Sequence, residues 1–161
     1  MKNNTITILG LIALVAIVLV VWGSPGNSTE NNIKTTSASE ITVVNPLYDF
    51  GEIDILGGKV STEYVLKNEG AEDVEIVSAV TSCVCTEGEI GGLRFGMHES
   101  RGGNVVIPAG NEKILTAIYD PLAHGPNGVG PVKRELFLKT NSTATPDIKV
   151  QFTANVIKQE G

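Results

Sequence analysis

The sequence is short of the residues that most often carry chemistry. Its 161 residues hold two Cys, two His, one Trp and one Met beyond the initiator. Two Cys cannot build a disulfide-dense scaffold, and a domain of this size can bury a core without one. Basic charge is scarce as well: 12 Lys and Arg stand against 18 Asp and Glu, a formal net charge of −6. That balance argues against a nucleic-acid surface, which needs clustered cations to displace counterions from phosphates. Catalytic signatures are missing too. There is no Gly-x-Ser-x-Gly elbow and no His-Glu-x-x-His pair, and Gly128-Val129-Gly130 lacks the Lys-Ser/Thr and the helix that a phosphate loop requires. A non-enzymatic protein is expected. The one catalytic arrangement the inventory leaves open is a Cys83 nucleophile with His98 or His124 as base.

Apolar residues are concentrated at one place. Ile6 to Trp22 is a run of seventeen residues, fifteen of them apolar, and no charge occurs between Lys2 and Glu30. As a helix rising about 1.5 Å per residue, this run with its flanks approaches the roughly 30 Å of a bilayer core. A cleaved secretory signal is the alternative, but its apolar region spans about 7 to 15 residues and ends in small residues. Val21-Trp22-Gly23 matches that cleavage pattern poorly, no Cys follows for lipid attachment, and Trp22 suits an interfacial anchor. The expected organisation is a cytoplasmic stretch at 1–5, a transmembrane signal anchor at 6–22 and a flexible tether at 23–40, rich in Ser, Thr and Asn. With Lys2 before the helix, positive-inside reasoning keeps the N-terminus cytoplasmic. The remainder is extracytoplasmic, on a single-pass protein of the cell membrane.

From 41 to 158 the pattern changes to short alternating runs between turn signals. Ile148, Val150, Phe152, Ala154 and Val156 alternate with polar residues, as do Val60, Thr62, Tyr64 and Leu66, and Val132, Arg134, Leu136 and Leu138. Residues 74–80, 105–107, 112–119 and 41–50 complete seven strands, the last broken by Pro46 and therefore expected at an edge. This fits an all-β, immunoglobulin-like antiparallel β-sandwich, with an up-and-down barrel as the alternative.

Several segments then coincide with a known pattern: Asp49-Phe50-Gly51-Glu52-Ile53, Asn68-Glu69-Gly70, Ser82-Cys83-Val84-Cys85-Thr86, Ile107-Pro108-Ala109-Gly110 and Tyr119-Asp120-Pro121. With these, residues 44–157 resemble the bacterial domain-of-unknown-function family 1573, exported Ig-like domains similar to the Hydin-like group. The resemblance implies an Ig-like fold and no established activity. The glycine-rich stretch after Cys85 and the segment His124-Gly125-Pro126-Asn127-Gly128 are more elaborate than the common pattern.

The rare residues cluster. Cys83, Cys85, Met97, His98 and His124 all fall between positions 83 and 124. Counting alternate strand directions puts their loops at one end of the sandwich, the end opposite the tether. In a regular strand the two Cys would stand too far apart for a disulfide, so closure requires a sharp turn. Thiolate, imidazole and thioether together favour copper(I) or zinc. Three readings stay open: a metal site of Cys83, Cys85, His98, His124 and Met97, a redox-active Cys83–Cys85 disulfide, and an inert buried pair. Arg94, Arg101 and Arg134 would lend the same end some basic character. The leading functional expectation is a membrane-anchored extracytoplasmic module binding an unknown protein or envelope partner, without nucleic acid. An extracytoplasmic copper, zinc or thiol-redox protein is the alternative.

Overall fold

The computed structural model describes residues 36–159. The expected transmembrane anchor at 6–22 lies outside the described residues, as does most of the tether. Among the described residues no helix is long and apolar enough to cross a membrane.

Among the described residues ten strands form two sheets of five: β1 (Ile41–Val44), β2 (Leu47–Asp54), β3 (Val60–Asn68), β4 (Val74–Thr81), β5 (Thr86–Ile90), β6 (Leu93–Phe95), β7 (Ser100–Ile107), β8 (Glu112–Tyr119), β9 (Gly130–Thr140) and β10 (Asp147–Ile157). One sheet runs β1-β3-β8-β5-β6 and the other β2-β10-β9-β4-β7. Each sheet has two free edges, so the architecture is an Ig-like β-sandwich and the barrel alternative falls away.

The expected count of seven strands is corrected to ten, for two reasons. The run 41–50 is two strands in different sheets. Asn45 takes a positive φ of 52° and Pro46 interrupts the ladder, so the chain steps from β1, antiparallel to β3, into β2, parallel to β10. The other reason is the glycine-rich stretch after Cys85, which folds as the β5–β6 hairpin. Its turn is Gly91-Gly92, both at positive φ (56° and 86°). Thr86, Gly88 and Ile90 form the buried row of β5, and the Phe95 ring of β6 lies over Gly88 where a Cβ would stand. A buried row of Thr, Gly and Ile does not read as apolar alternation in sequence. Of the three added strands, two lie between β4 and β7, an even number, and the third arises where β1 and β2 run in the same direction, so the end at which each loop emerges is unchanged.

The three clearest runs do fold as expected, with the odd or even positions facing in throughout β3 and β10. Phe152, Tyr64, Leu115, Ile76 and Leu136 are fully buried between the sheets. The Asp49-Phe50-Gly51 segment owes its composition to a β-bulge. Two residues of β2, Phe50 and Gly51, lie opposite Ala154 alone, and Gly51 adopts φ 68° while Asp49 accepts from its amide (3.1 Å). The bulge aims Phe50 at Phe152, ring centroids 5.4 Å apart.

Residues 37–40, at the end of the expected tether, are bonded onto the sandwich. The Ser37 amide donates to the Asn141 carbonyl (3.0 Å) and the Ser39 hydroxyl to the Glu72 carbonyl (2.8 Å). The chain enters there, at the end where Ile41 pairs with Asn68 and Lys67 with Glu112. At the opposite end Tyr119 pairs with both Val60 and Thr86.

Candidate functional site

The far end is built around the β4–β5 connection. Ser82 is clamped to β9 by two bonds with Glu135: its amide donates to the Glu135 carbonyl (2.9 Å) and its hydroxyl accepts from the Glu135 amide (2.9 Å). The Thr86 amide then donates to the Cys83 carbonyl (3.1 Å), closing a tight turn, and the buried Thr81 hydroxyl lies 3.0 Å from the Cys83 and Thr86 carbonyls. This is the sharp turn that a Cys-x-Cys bond requires. It brings the two Cα atoms to 5.2 Å, and Cys83 and Cys85 form a disulfide. The two sulfurs are not equivalent: Cys85 belongs to the core at 2% exposure, whereas Cys83 is half-buried at the surface.

Two further side chains reach this pair. After β8 the chain makes a 3-10 turn, Pro121–His124, whose N-cap Asp120 accepts from the Leu122 amide (2.9 Å) and whose end is marked by Gly125 at φ 84°. The Asp120 amide donates to the Cys85 carbonyl (2.9 Å), tying this turn to the disulfide loop. His124 thereby stands with Nε2 3.3 Å from Cys83 Sγ. From β9, Arg134 donates through Nε to Cys85 Sγ (3.0 Å), and its guanidinium lies 5.8 Å from the centroid of the Tyr119 ring. Burial pushes the Tyr119 phenol above its ordinary range, opposed by the Arg134 charge and reinforced by Asp120. Tyr119 in turn packs on Phe152, centroids 5.4 Å apart, so the site rests on the core.

Of the five residues singled out in the sequence, the fold brings three together. Donor atoms of Cys83, Cys85 and His124 all lie within 4.8 Å of one another. His98 is not in this group. It and Met97 sit exposed in the β6–β7 connection, at the same end of the molecule, since Gly96 accepts from the Thr81 amide (2.9 Å). Arg94 pairs instead with Glu89 across the β5–β6 hairpin (3.0 Å), and Arg101 lies in β7 opposite Ser78. Sequence reasoning missed the part played by Arg134. The signal was present: Arg134 interrupts the inward-facing row Val132, Leu136, Leu138 of its strand, where a cation requires a partner.

Chemically, the arrangement offers two uses. As a disulfide it closes a loop of three residues, which removes little chain entropy, so the bond contributes little to holding the domain together. Reduced, it offers two thiolates and an imidazole, a donor set that fits copper(I) or zinc.

Two packed β-sheets with this strand order define the chain as an Ig-like β-sandwich domain. A family model described as "Protein of unknown function (DUF1573)" matches residues 41–156, and the chain belongs to that family. It is similar in fold to a protein of unknown function from Porphyromonas gingivalis W83, with a TM-score of 0.59 at 13% identity, over 79% of this chain and 51% of that one. It thus spans about half the length of that structure. A family 123 glycoside hydrolase from Clostridium perfringens is also similar, with a TM-score of 0.53 at 7% identity, over 76% of this chain and 28% of that one. At such identities the likeness is one of fold. No curated protein matches the chain.

Proposed function

We propose that this protein is a single-pass membrane protein whose Ig-like domain is an extracytoplasmic, non-enzymatic binding module. It presents the Cys83–Cys85 tip to a protein or envelope partner. The observation that carries the reading is the placement of the two ends. The chain enters beside Ser37 and Ile41, and the disulfide tip stands at the opposite end of the sandwich. The end opposite the chain's entry is free of the tether's attachment and open to a partner. The apolar run Ile6 to Trp22 supports membrane attachment, and the charge pattern around it supports a cytoplasmic N-terminus. A disulfide accords with an oxidising compartment. The tip also carries exposed apolar side chains, Val84 at 59% and Leu122 at 44%, of the kind that contacts use.

Protease added to intact cells should digest the domain while the protein stays with membranes in alkaline carbonate. A photo-crosslinking residue at Leu122 should give one discrete adduct, and one at Lys149 none. A mature protein starting near Ser24 would end the anchor, and equal adducts at both positions would end the tip as the contact surface.

The convergence of Cys83, Cys85 and His124 favours a second reading, a soft-metal site in the reduced protein. Arg134 adds a positive charge beside Cys85, and that charge count suits two thiolates on copper(I) better than on zinc. A stoichiometry near one copper, abolished in Cys83→Ser, is expected. Absence of bound metal after reconstitution in reductant would end it.

A further inference from the structure

The surroundings of the two sulfurs differ in every respect that matters to thiol–disulfide exchange. Cys83 is half-buried and reachable from solvent, and Cys85 is sealed in the core. A guanidinium nitrogen contacts Cys85 Sγ at 3.0 Å, and an exposed imidazole contacts Cys83 Sγ at 3.3 Å. Cys83 is flanked by the exposed Val84, and His124 by the exposed Leu122 two residues before it. A nucleophile can reach Cys83 and not the buried Cys85, and the Arg134 guanidinium stands at Cys85.

From this asymmetry we infer that the tip is a directional thiol–disulfide exchange site for a cysteine-bearing polypeptide. Cys83 is the sulfur attacked and Cys85 the leaving group. In the first step a partner thiolate attacks Cys83 Sγ. A new sulfur–sulfur bond forms to Cys83, the Cys83–Cys85 bond breaks, and its electron pair leaves on Cys85 Sγ as a thiolate facing Arg134. In the second step another thiolate of the same partner attacks the partner's own sulfur in the mixed disulfide. Cys83 leaves as a thiolate beside the His124 ring. The partner is oxidised by two electrons to a disulfide and the Cys83–Cys85 pair is reduced by the same two electrons, so no further reactant is needed for one stoichiometric exchange.

Arg134 faces the atom that acquires charge in the first step, which is where a preformed cation accelerates cleavage. Its other contacts are uncharged: the neighbouring Lys133 carbonyl accepts from its guanidinium (2.8 Å), and the Tyr119 ring lies 5.8 Å from it. The small closed loop matters as well. Opening it releases little entropy, so the domain stays folded in both the oxidised and the reduced state of the pair.

The inference rests on the tip being the surface presented to a partner, and the test separates the two. The full-length protein in detergent, oxidised, is mixed with glutathione, which needs no docking surface, and with a peptide carrying two cysteines. Mixed disulfides are trapped by acid and mapped by mass spectrometry. The glutathione adduct is expected on Cys83 at least about tenfold over Cys85, and Arg134→Met should slow reduction of the pair about tenfold or more, with Arg134→Lys restoring part of the rate. Alkylation of the reduced wild-type protein offers a check free of substitutions, with Cys83 modified about tenfold faster than Cys85. Equal adducts on both cysteines would overturn the assigned direction. An unchanged rate in Arg134→Met that still melts like wild type would overturn the role of Arg134. Exchange with glutathione but none with the dithiol peptide would overturn the polypeptide as substrate. Loss of crosslinking at Leu122 with glutathione exchange intact would instead count against the binding reading alone.

Discussion

Asn68 tests whether the fold is held by the hydrogen-bond arithmetic of one buried amide. It begins the Asn68-Glu69-Gly70 turn between β3 and β4 and is fully buried, at 0% exposure. Its Nδ2 donates to the Glu72 carbonyl (2.8 Å) and the Ile107 carbonyl (2.9 Å), and its Oδ1 accepts from the Gly70 amide (3.0 Å). One side chain therefore joins β3, the turn and the end of β7. Gly70 is required beside it, because a Cβ there would meet the side chain and Cα of Ser39. Truncation in Asn68→Ala removes three bonds. The bond to the Ile107 carbonyl is buried, so losing it costs about 1–3 kcal/mol, and the two part-buried partners cost about 0.5–1.5 kcal/mol each. A loss near 3 kcal/mol is expected, about a third of the stability of an ordinary domain. That corresponds to a fall in Tm of roughly 10–15 °C for a domain this size. Asn68→Asp keeps the acceptor for Gly70 but turns an oxygen towards two carbonyls, and it should be worse than Ala. The assay is urea denaturation followed by circular dichroism, with the midpoint expected to fall at unchanged slope. A loss under about 1 kcal/mol in the Ala variant, or an Asp variant as stable as wild type, would refute the reasoning.

Three further outcomes follow from other parts of the fold. Reducing the disulfide should cost only about 1.6 kcal/mol, the chain-entropy value for a three-residue loop, so the melting transition should persist in reductant; unfolding at room temperature would show that the bond carries the tip. Gly88→Val should destabilise by about 2–3 kcal/mol, because its side chain would occupy the place of the Phe95 ring, and the companion Phe95→Ala should restore part of the loss in a double-mutant cycle. Burial pushes the Tyr64 phenol up to about 12, with Tyr48 adding to this, and its hydroxyl donates to the Gln151 carbonyl (2.8 Å). The folded state thus favours the neutral phenol: this contribution is complete below pH 10 and is lost as pH rises towards 12. Tyr64→Phe should be less stable than wild type at neutral pH, by about 1 kcal/mol, and should close that gap in alkali, as followed by urea midpoints across the pH range.

The strands that could be read from the chain are those whose inner rows are continuous. β10 carries Ile148, Val150, Phe152, Ala154 and Val156 on one face, and the two-residue period leaves no other arrangement for a half-buried strand. β3 and most of β9 follow the same logic. Strand parity was legible too, because it depends only on whether the count between two loops is odd or even, and the hairpin that was overlooked contributes two. The hairpin itself was hidden by Gly88, whose missing side chain is filled by Phe95 from the next strand, a contact that exists only after folding. Pro46 marked a break correctly, but whether the chain continues along one sheet or crosses to the other depends on the β10 edge that receives β2.

By itself, then, the sequence determined the class of fold and the end of the sandwich at which Cys83, Cys85 and His124 gather. Both are consequences of local periodicity and alternating chain direction, and neither needs a coordinate. Which of the rare residues touch was decided by tertiary structure alone. His98 and His124 lie in connections at the same end, yet only the 3-10 turn capped by Asp120 and tied to the Cys85 carbonyl carries an imidazole to the sulfur. Arg134 is forty-nine residues from Cys85 along the chain and 3.0 Å from it in the fold. Contacts of that kind depend on how two sheets stack, and no periodicity along one strand encodes the stacking.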